Sequence, residues 1–424
     1  MKDRLVLAAA LAGLPVAGCV QPECSQPDYT RAECRVIVEN EVARLSTFDG
    51  IELRFQEPDA LNAESWAALG VFEQLGPQLV RARVAAPGAF AFTLTPGPRA
   101  AATLDVRLEN VDPRARVTYE VDGEIMEIPP PSVPVAQRTV TLPVPTEGVG
   151  WVRGEELCEG NFRFAALGDI QTNPQQFDRI VEELRRQVAR DDDLAAQDLP
   201  GAPLRALLIV GDLTELSTDV EFELIQQLID RVPIPVAVTP GNHDVFASSR
   251  AIYNRLFGPG NYAFTFCQAH VAMLDTGNGA LAPSIQGRLP GLLKPSRSVE
   301  AVFVATHYPP YPGLTGNGWS REDQAQDLLV ESVLGGVDLL IAGHVHALME
   351  FARVPVMDTS LREIITGTGG ANQGLAPARY GYLDVTVLED NGVGRTCFQE
   401  VVPPNWGPWR NPPLSPTLLN CPEL

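Results

Sequence analysis

Hydrophobic and polar positions follow two regimes along this 424-residue chain. Between 50 and 152, short runs alternate apolar and polar residues (51–55, 89–94, 104–108, 117–121), with Pro-Gly, Asn-Val-Asp-Pro and Asp-Gly between them. That period of two, broken by turn signals, predicts an antiparallel β-sandwich. From 162 onward the runs become continuously apolar: 162–167, 206–210, 235–239, 301–306 and 338–342. Such runs predict strands buried on both faces in parallel sheets. Two intervening stretches keep a helical period. One places Phe177, Ile180, Val181, Leu184 and Val188 on a single face; the other places Val220, Leu224, Ile225, Leu228, Ile229 and Val232. Strand, helix and strand in succession bring the loops that follow the strands to one edge of the sheet. In open α/β sheets that edge is where ligands bind.

The remaining pattern is simpler. Residues 29–45 read as a short helix carrying Val36, Val38, Val42 and Leu45. Residues 190–203, with Asp191, Asp192 and Asp193, read as an exposed loop, since acidic runs are normally solvated. Runs 264–266 and 271–274 predict a hairpin, and 363–368 and 380–388 two strands joined through the glycine turn 367–370. That turn has no P-loop lysine and no helix after it, so it is not a phosphate loop of that type. Residues 402–424 read as an extended tail.

The chemistry lies at the strand ends. Gly168-Asp169-Ile170-Gln171, Gly211-Asp212, Gly241-Asn242-His243-Asp244, His307 and Gly343-His344-Val345-His346 each follow an apolar run. Four of the five histidines sit there; His270 stands beside a strand and reads as structural. Carboxylate, amide oxygen and imidazole together suit zinc, manganese or iron, and one carboxylate can bridge two such ions roughly 3.5–4 Å apart. Tyr308, Tyr311 and Trp319 are candidates for a pocket wall, or for ordinary loop packing.

The order GD, GD, GNHD, H, GHxH resembles the calcineurin-like metallophosphoesterase superfamily, purple acid phosphatase-like branch, over 162–387. The resemblance implies an α/β fold, a four-layer α/β/β/α sandwich, here preceded by a small β-sandwich domain. It implies two divalent or trivalent metal ions (Zn, Mn or Fe) and phosphate-ester hydrolysis by a metal-bound hydroxide, with phosphomonoesters favoured. By carry-over Asp212 bridges; Asp169, Gln171 and His346 complete one site, and Asn242, His307 and His344 the other. His243 is the non-ligand partner that contacts the phosphate or protonates the leaving oxygen, with Asp244 orienting it. The chain departs from the family at Gln171, where most members have His, and at Glu215, where purple acid phosphatases have Tyr. A neutral amide oxygen makes the first site the weaker one. Phosphodiesterases share these motifs, and a catalytically silent binding lipoprotein is a further alternative; metal content and turnover of an aryl phosphate separate it from an enzyme.

Composition adds a location. A charged start, the apolar stretch 5–14 and Val16-Ala17-Gly18-Cys19 form a secretory signal resembling a bacterial lipobox. It implies export and a lipid anchor at Cys19. Val20 and Gln21 in place of Asp at the sorting position imply the outer membrane, periplasmic side or cell surface. Export leaves six of the seven cysteines for disulfides. A Cys24–Cys34 pair would pin the N-terminal helix, Cys158–Cys397 would close the catalytic region, and Cys421 would tie the tail. The domain boundaries that follow are 1–18 signal, 19–49 N-terminal segment, 50–155 sandwich, 156–400 catalytic domain and 401–424 tail. A net charge of -21 disfavours binding to a nucleic-acid scaffold, which basic surfaces hold.

Overall fold

A computed structural model describes residues 28–56, 69–133, 135–158, 160–197, 201–246, 251–373, 379–403 and 420–421. The signal 1–18, Cys19, Cys24 and most of the tail lie outside the described residues, and with them the lipobox and the Cys24 end of the pair expected with Cys34.

Helix α1 (Ala32–Val42) leads into ten strands: β1 (Arg44–Ser46), β2 (Glu52–Gln56), β3 (Gly70–Gln74), β4 (Leu79–Val84), β5 (Phe90–Thr95), β6 (Thr103–Glu109), β7 (Arg116–Val121), β8 (Glu124–Ile128), β9 (Gln137–Pro143) and β10 (Gly150–Glu155). They form two sheets, β1-β2-β5-β10-β7-β8 and β3-β4-β6-β9, packed around Phe55, Phe72, Phe92 and Tyr119. The sandwich is not wholly antiparallel, because β4 and β6 run parallel.

The second part continues with β11 (Phe162–Leu167), α2 (Pro174–Ala196), β12 (Leu204–Val210), α3 (Asp219–Ile229), β13 (Val236–Thr239), α4 (Asn242–Val245) and α5 (Ile252–Phe257). Then come β14 (Tyr262–Phe266), β15 (Ala269–Leu274), α6 (Pro283–Gln286), α7 (Leu289–Leu292), β16 (Ala301–Thr306), α8 (Glu322–Leu334) and β17 (Leu339–Ala342). Last are β18 (Leu348–Val356), β19 (Thr359–Thr366), β20 (Gly381–Leu388) and β21 (Gly392–Glu400). The sheets β13-β12-β11-β20-β21 and β14-β15-β16-β17-β19-β18 face each other across Phe164, Leu208, Phe266, Phe303 and Leu383. Helices α2, α3 and α5 cover the first sheet, and α6, α7 and α8 the second. Two apolar sheets with helices on both outer faces make a four-layer α/β/β/α sandwich.

Several expectations are corrected. On α3 the buried face is Phe222, Ile225, Leu228 and Ile229, while Val220 and Leu224 are exposed. The helix starts one turn from the strand-end loop, and the aromatic ring of Phe222 fills the space that the periodicity gave to its neighbours. Helix α2 runs on through Ala196, because Asp191 is not solvated: it accepts from Arg163 at 3.0 Å and from the Leu204 N–H at 2.8 Å, closing the turn into β12. Cys158 pairs with Cys267 at the β14–β15 turn rather than with Cys397, since the entry to β11 lies against the opposite sheet's hairpin. Cys397 pairs with Cys421, tying the tail to β21 as expected. No helix among the described residues is long and apolar enough to cross a membrane.

Among the contacts that connect the first part to the second, two reach the strands and loops behind the strand-end residues. The Asn110 side chain accepts from Val236 N at 2.7 Å and donates to Val236 O at 2.9 Å, completing the hydrogen bonding of edge strand β13. At α1, Arg35 is bidentate on Asp275 at 2.7 and 2.8 Å, and Glu39 accepts from the N–H groups of Gly260 and Asn261. Burial, with Asp275 nearby, pushes the Glu39 carboxyl up to about 8, although its three N–H donors pull the other way.

A carboxyl raised in the fold stabilises it below its unfolded value and loses that contribution as the pH rises to the folded one. Between about 4.5 and 8 the wild type is therefore expected to lose stability relative to Glu39→Gln, by up to about 1.4 kcal/mol per pH unit. Denaturant midpoints across that window test this; parallel curves for the two proteins would count against it.

Candidate metal centre

The five loops expected from the sequence meet at one edge, where the carboxyl ends of β11, β12, β13, β16 and β17 converge. Asp169, Gln171, Asp212, His344 and His346 all have positive φ. Non-glycine residues adopt that region at a cost, and only where the surroundings hold them there. Space is equally tight: a Cβ on Gly241 would lie 2.2 Å from Asp212 Oδ1, and one on Gly367 would lie 2.7 Å from the His346 N and 2.9 Å from Asp169 Oδ2. The glycine turn after β19 thus serves close approach to the site, a role its sequence did not reveal.

Two donor groups result, Asp212 with His307 and His344, and Asp169 with Asp212 and His346, each with ligand atoms within 4.8 Å of one another. Asp212 belongs to both. His307 Nε2 lies 3.3 Å from Asp212 Oδ2 and 3.0 Å from Asn242 Oδ1, which is also 3.0 Å from His344 Nδ1. His346 Nε2 lies 3.3 Å from Asp169 Oδ1. Backbone N–H groups orient both carboxylates: His243 donates to Asp212 Oδ1 at 2.9 Å, and His344 donates to both oxygens of Asp169.

Gln171 departs from the expectation. Its Nε2 donates to Asp212 Oδ2 at 2.5 Å, so the amide nitrogen and not the oxygen faces the shared carboxylate. An amide N–H complements a carboxylate, whereas its oxygen would oppose one. Asp244 departs too. It does not touch the His243 ring: its buried carboxylate accepts from the N–H groups of Leu213, Thr214 and Gly241 and from the Thr214 hydroxyl. His243 is oriented instead by the Glu215 carbonyl, which accepts from Nδ1 at 2.8 Å. His270 is structural as expected, donating from Nε2 to Leu292 O. Trp319 is core, its indole N–H donating to Tyr308 O, while the Tyr308 ring lies 3.8 Å from that of His344.

Thr276 escaped the sequence reading. Its hydroxyl accepts from the N–H groups of His307 at 3.1 Å and Tyr308 at 3.0 Å. Asp275-Thr276 closes β15 as Gly-Asp closes the other strands, and that shared position was the available signal.

Electrostatics show what the site requires. Burial alone would lower His307, but Asp212 and Asp169 push it up to about 9. Burial and the His307 charge pull His344 down to about 3. Burial would raise Asp212, yet His307 and His243 hold it low. Asp244, by contrast, is raised to about 6 by burial and by Asp212. This is a buried anionic centre that demands positive charge. The tautomers fit a metal. His307 Nδ1 donates to Val210 O and His346 Nδ1 to Asn372 O, so the Nε2 lone pair of each faces the carboxylates, the arrangement a carbonyl fixes for a metal-bound imidazole.

Residues 162–348 match the calcineurin-like phosphoesterase family model. This part of the chain belongs to that family, and the protein is a metallophosphoesterase, a phosphoric ester hydrolase whose chemistry is metal-dependent hydrolysis of phosphate esters. Solved structures with a similar fold include the purple acid phosphatase PPD1 of yellow lupin (12% identity, 74% of this chain and 70% of that one, TM-score 0.47). Others are a dimetal phosphatase from Danio rerio (12%, 57% and 99%, 0.39) and GAP50, the anchor in the inner membrane complex of Plasmodium (15%, 57% and 85%, 0.39). No curated protein matches the chain.

With Gln171 donating a proton instead of a lone pair, the Asp169–His346 side holds its ion more loosely than the Asn242–His307–His344 side. Dialysis is expected to remove one ion per chain from the wild type and fewer from Gln171→His, as counted by elemental analysis. Equal retention of two ions by both proteins would overturn this ordering.

Proposed function

We propose that the chain is a dinuclear phosphomonoesterase, carried by one observation: two donor groups that share Asp212. Asp169 and His346 serve one ion, with Gln171 hydrogen-bonded to the shared Asp212 beside it; Asn242, His307 and His344 serve the other. Bound metal ions would supply a water of lowered pKa and positive charge for the phosphoryl oxygens. The protein's part is to hold the ester in line and to move a proton. His243 is placed for the latter: its backbone is fixed on Asp212 and its Nδ1 on Glu215 O, which leaves Nε2 as the open edge of the ring. From there it protonates the leaving oxygen. Asp244 acts indirectly, by holding the loop after Asp212 against the turn of Gly241.

Asp212→Ala is expected to lose both ions and all hydrolysis while staying folded. His243→Ala should keep its metal and lose about 10²–10⁴-fold in kcat on alkyl phosphates. It should lose far less on 4-nitrophenyl phosphate, whose leaving group needs no proton. A uniform loss on both substrates would remove the acid role from His243, and faster turnover of diesters than of monoesters would reassign the substrate class.

We also propose that the enzyme is exported and lipid-anchored through Cys19 at the outer membrane, which the lipobox-like Val16-Ala17-Gly18-Cys19 supports. Labelled fatty acid should enter the wild type and not Cys19→Ala; an unlabelled wild type would refute the anchor.

A further inference from the structure

The loops around His243 leave large apolar side chains in the open. Phe246, three residues on, is 49% exposed, and its ring stands edge-on to the His243 imidazole at 5.7 Å between centroids. On the other side of His243, the loop whose Glu215 carbonyl holds Nδ1 continues into Leu216, 56% exposed, and then into Val220 at the first turn of α3, 74% exposed. That loop is rigid: Ser217 Oγ donates to His243 O, and the N–H groups of Glu215, Leu216 and Thr218 are held by the Glu221 carboxylate. Leu216 is therefore held out in solvent by a capped and hydrogen-bonded corner. Across the site, the half-buried Tyr308 ring lies over His344.

Exposed apolar residues scattered singly need no explanation, but these flank one catalytic group. If His243 delivers a proton to the leaving oxygen, the group that oxygen carries departs beside the imidazole, whose neighbours are the Phe246 ring at 5.7 Å and the corner 215–216 that holds Nδ1. We infer that the Phe246 and Leu216 side chains form a subsite for the leaving group, and that the preferred substrate is a phosphomonoester of an apolar alcohol, alkyl or aryl, rather than of a sugar or polyol. This rests on the phosphoesterase reading above. In the reaction, water adds at phosphorus, the P–O bond to the alcohol breaks, the alcohol leaves with the His243 proton, and a proton of the water returns to the imidazole. The apolar surface takes no part in these transfers. It removes the alkyl or aryl group from water, which strengthens binding with the area covered.

The test compares n-hexyl phosphate with glycerol 3-phosphate, both esters of weakly acidic alcohols, on the metal-loaded full chain. The wild type is expected to favour hexyl phosphate by about tenfold or more in kcat/KM, mostly through KM. Phe246→Ser and Leu216→Ser should each reduce that ratio several-fold, while Phe246→Leu should keep most of it. Vesicles containing phosphatidic acid, run beside the soluble ester, tell a membrane-borne alcohol from a free one: turnover of both, or of either, in preference to glycerol phosphate supports the subsite. A wild type that hydrolyses hexyl and glycerol phosphates equally well, or serine variants that slow both by the same factor, would overturn it. Leu216→Ser, on the surface of a loop, gives a folded variant even if Phe246→Ser does not. Hydrolysis of no ester at all would bring down the phosphoesterase reading and this inference with it, whereas hydrolysis without preference brings down only the inference.

Discussion

Asp169 and Asp212 are buried carboxylates at the ends of adjacent strands, and an anion removed from water must be met by hydrogen-bond donors or positive charge. Among the described residues both are supplied by backbone N–H groups, an amide and imidazoles, with no arginine on either carboxylate. Backbone N–H groups of His243 and His344 each point at one of the two carboxylates, and the imidazoles of His307 and His346 approach to 3.3 Å. The push of His307 up to about 9 expresses the same requirement: without a cation the centre takes up a proton. A divalent ion between these oxygens and nitrogens satisfies the demand better than a proton does, because it meets several donors at once.

Meeting that demand fixes the loops in unfavourable backbone. Five site residues at positive φ, with glycines where no Cβ fits, keep that geometry only if the strands behind them do not shift. The first 155 residues contribute to this rigidity. Asn110 completes the backbone pairing of β13, whose next loop carries Asn242 and His243. Arg35 clamps Asp275, and the neighbouring Thr276 receives the N–H of His307. The sandwich and α1 are each bonded to the base of a loop that carries site residues.

Much of this was legible in the sequence, for a definite reason. Strands buried on both faces read as unbroken apolar runs, so β11, β12, β13, β16 and β17 were found within two residues of their ends, and with them every loop that bears a ligand type. What stayed hidden depends on contacts distant in sequence. The Cys158–Cys267 bridge joins two sheets whose packing no local pattern encodes. The parallel β4–β6 pair looks the same as an antiparallel one at the level of alternation. Val220 and Leu224 have the period of a core face, but α3 turns Phe222, Ile225, Leu228 and Ile229 inward and leaves these two in solvent. Local rules are broken most readily where function has other uses for a residue.

The motif Gly241-Asn242-His243-Asp244 shows how three polar neighbours come to do three different things. Within the single turn of α4, successive side chains point about 100° apart. Asn242 Oδ1 meets His307 and His344; the His243 ring turns to the Glu215 carbonyl; and Asp244 reaches back to the Gly241 N–H and across to Leu213 and Thr214. The two loops are therefore fastened by the one residue of the three that faces away from the metal site. A carboxylate rather than an amide suits that position, since it presents only acceptors to four donors, and an amide would turn two N–H groups toward them. Burial beside Asp212 still raises Asp244 to about 6, so the fold gives up stability as the pH climbs to that value, and the N–H groups of Gly241, Leu213 and Thr214 offset part of the cost of its charge. The proximity that lets Asp212 serve both donor groups is thus maintained by a second carboxylate that contacts neither.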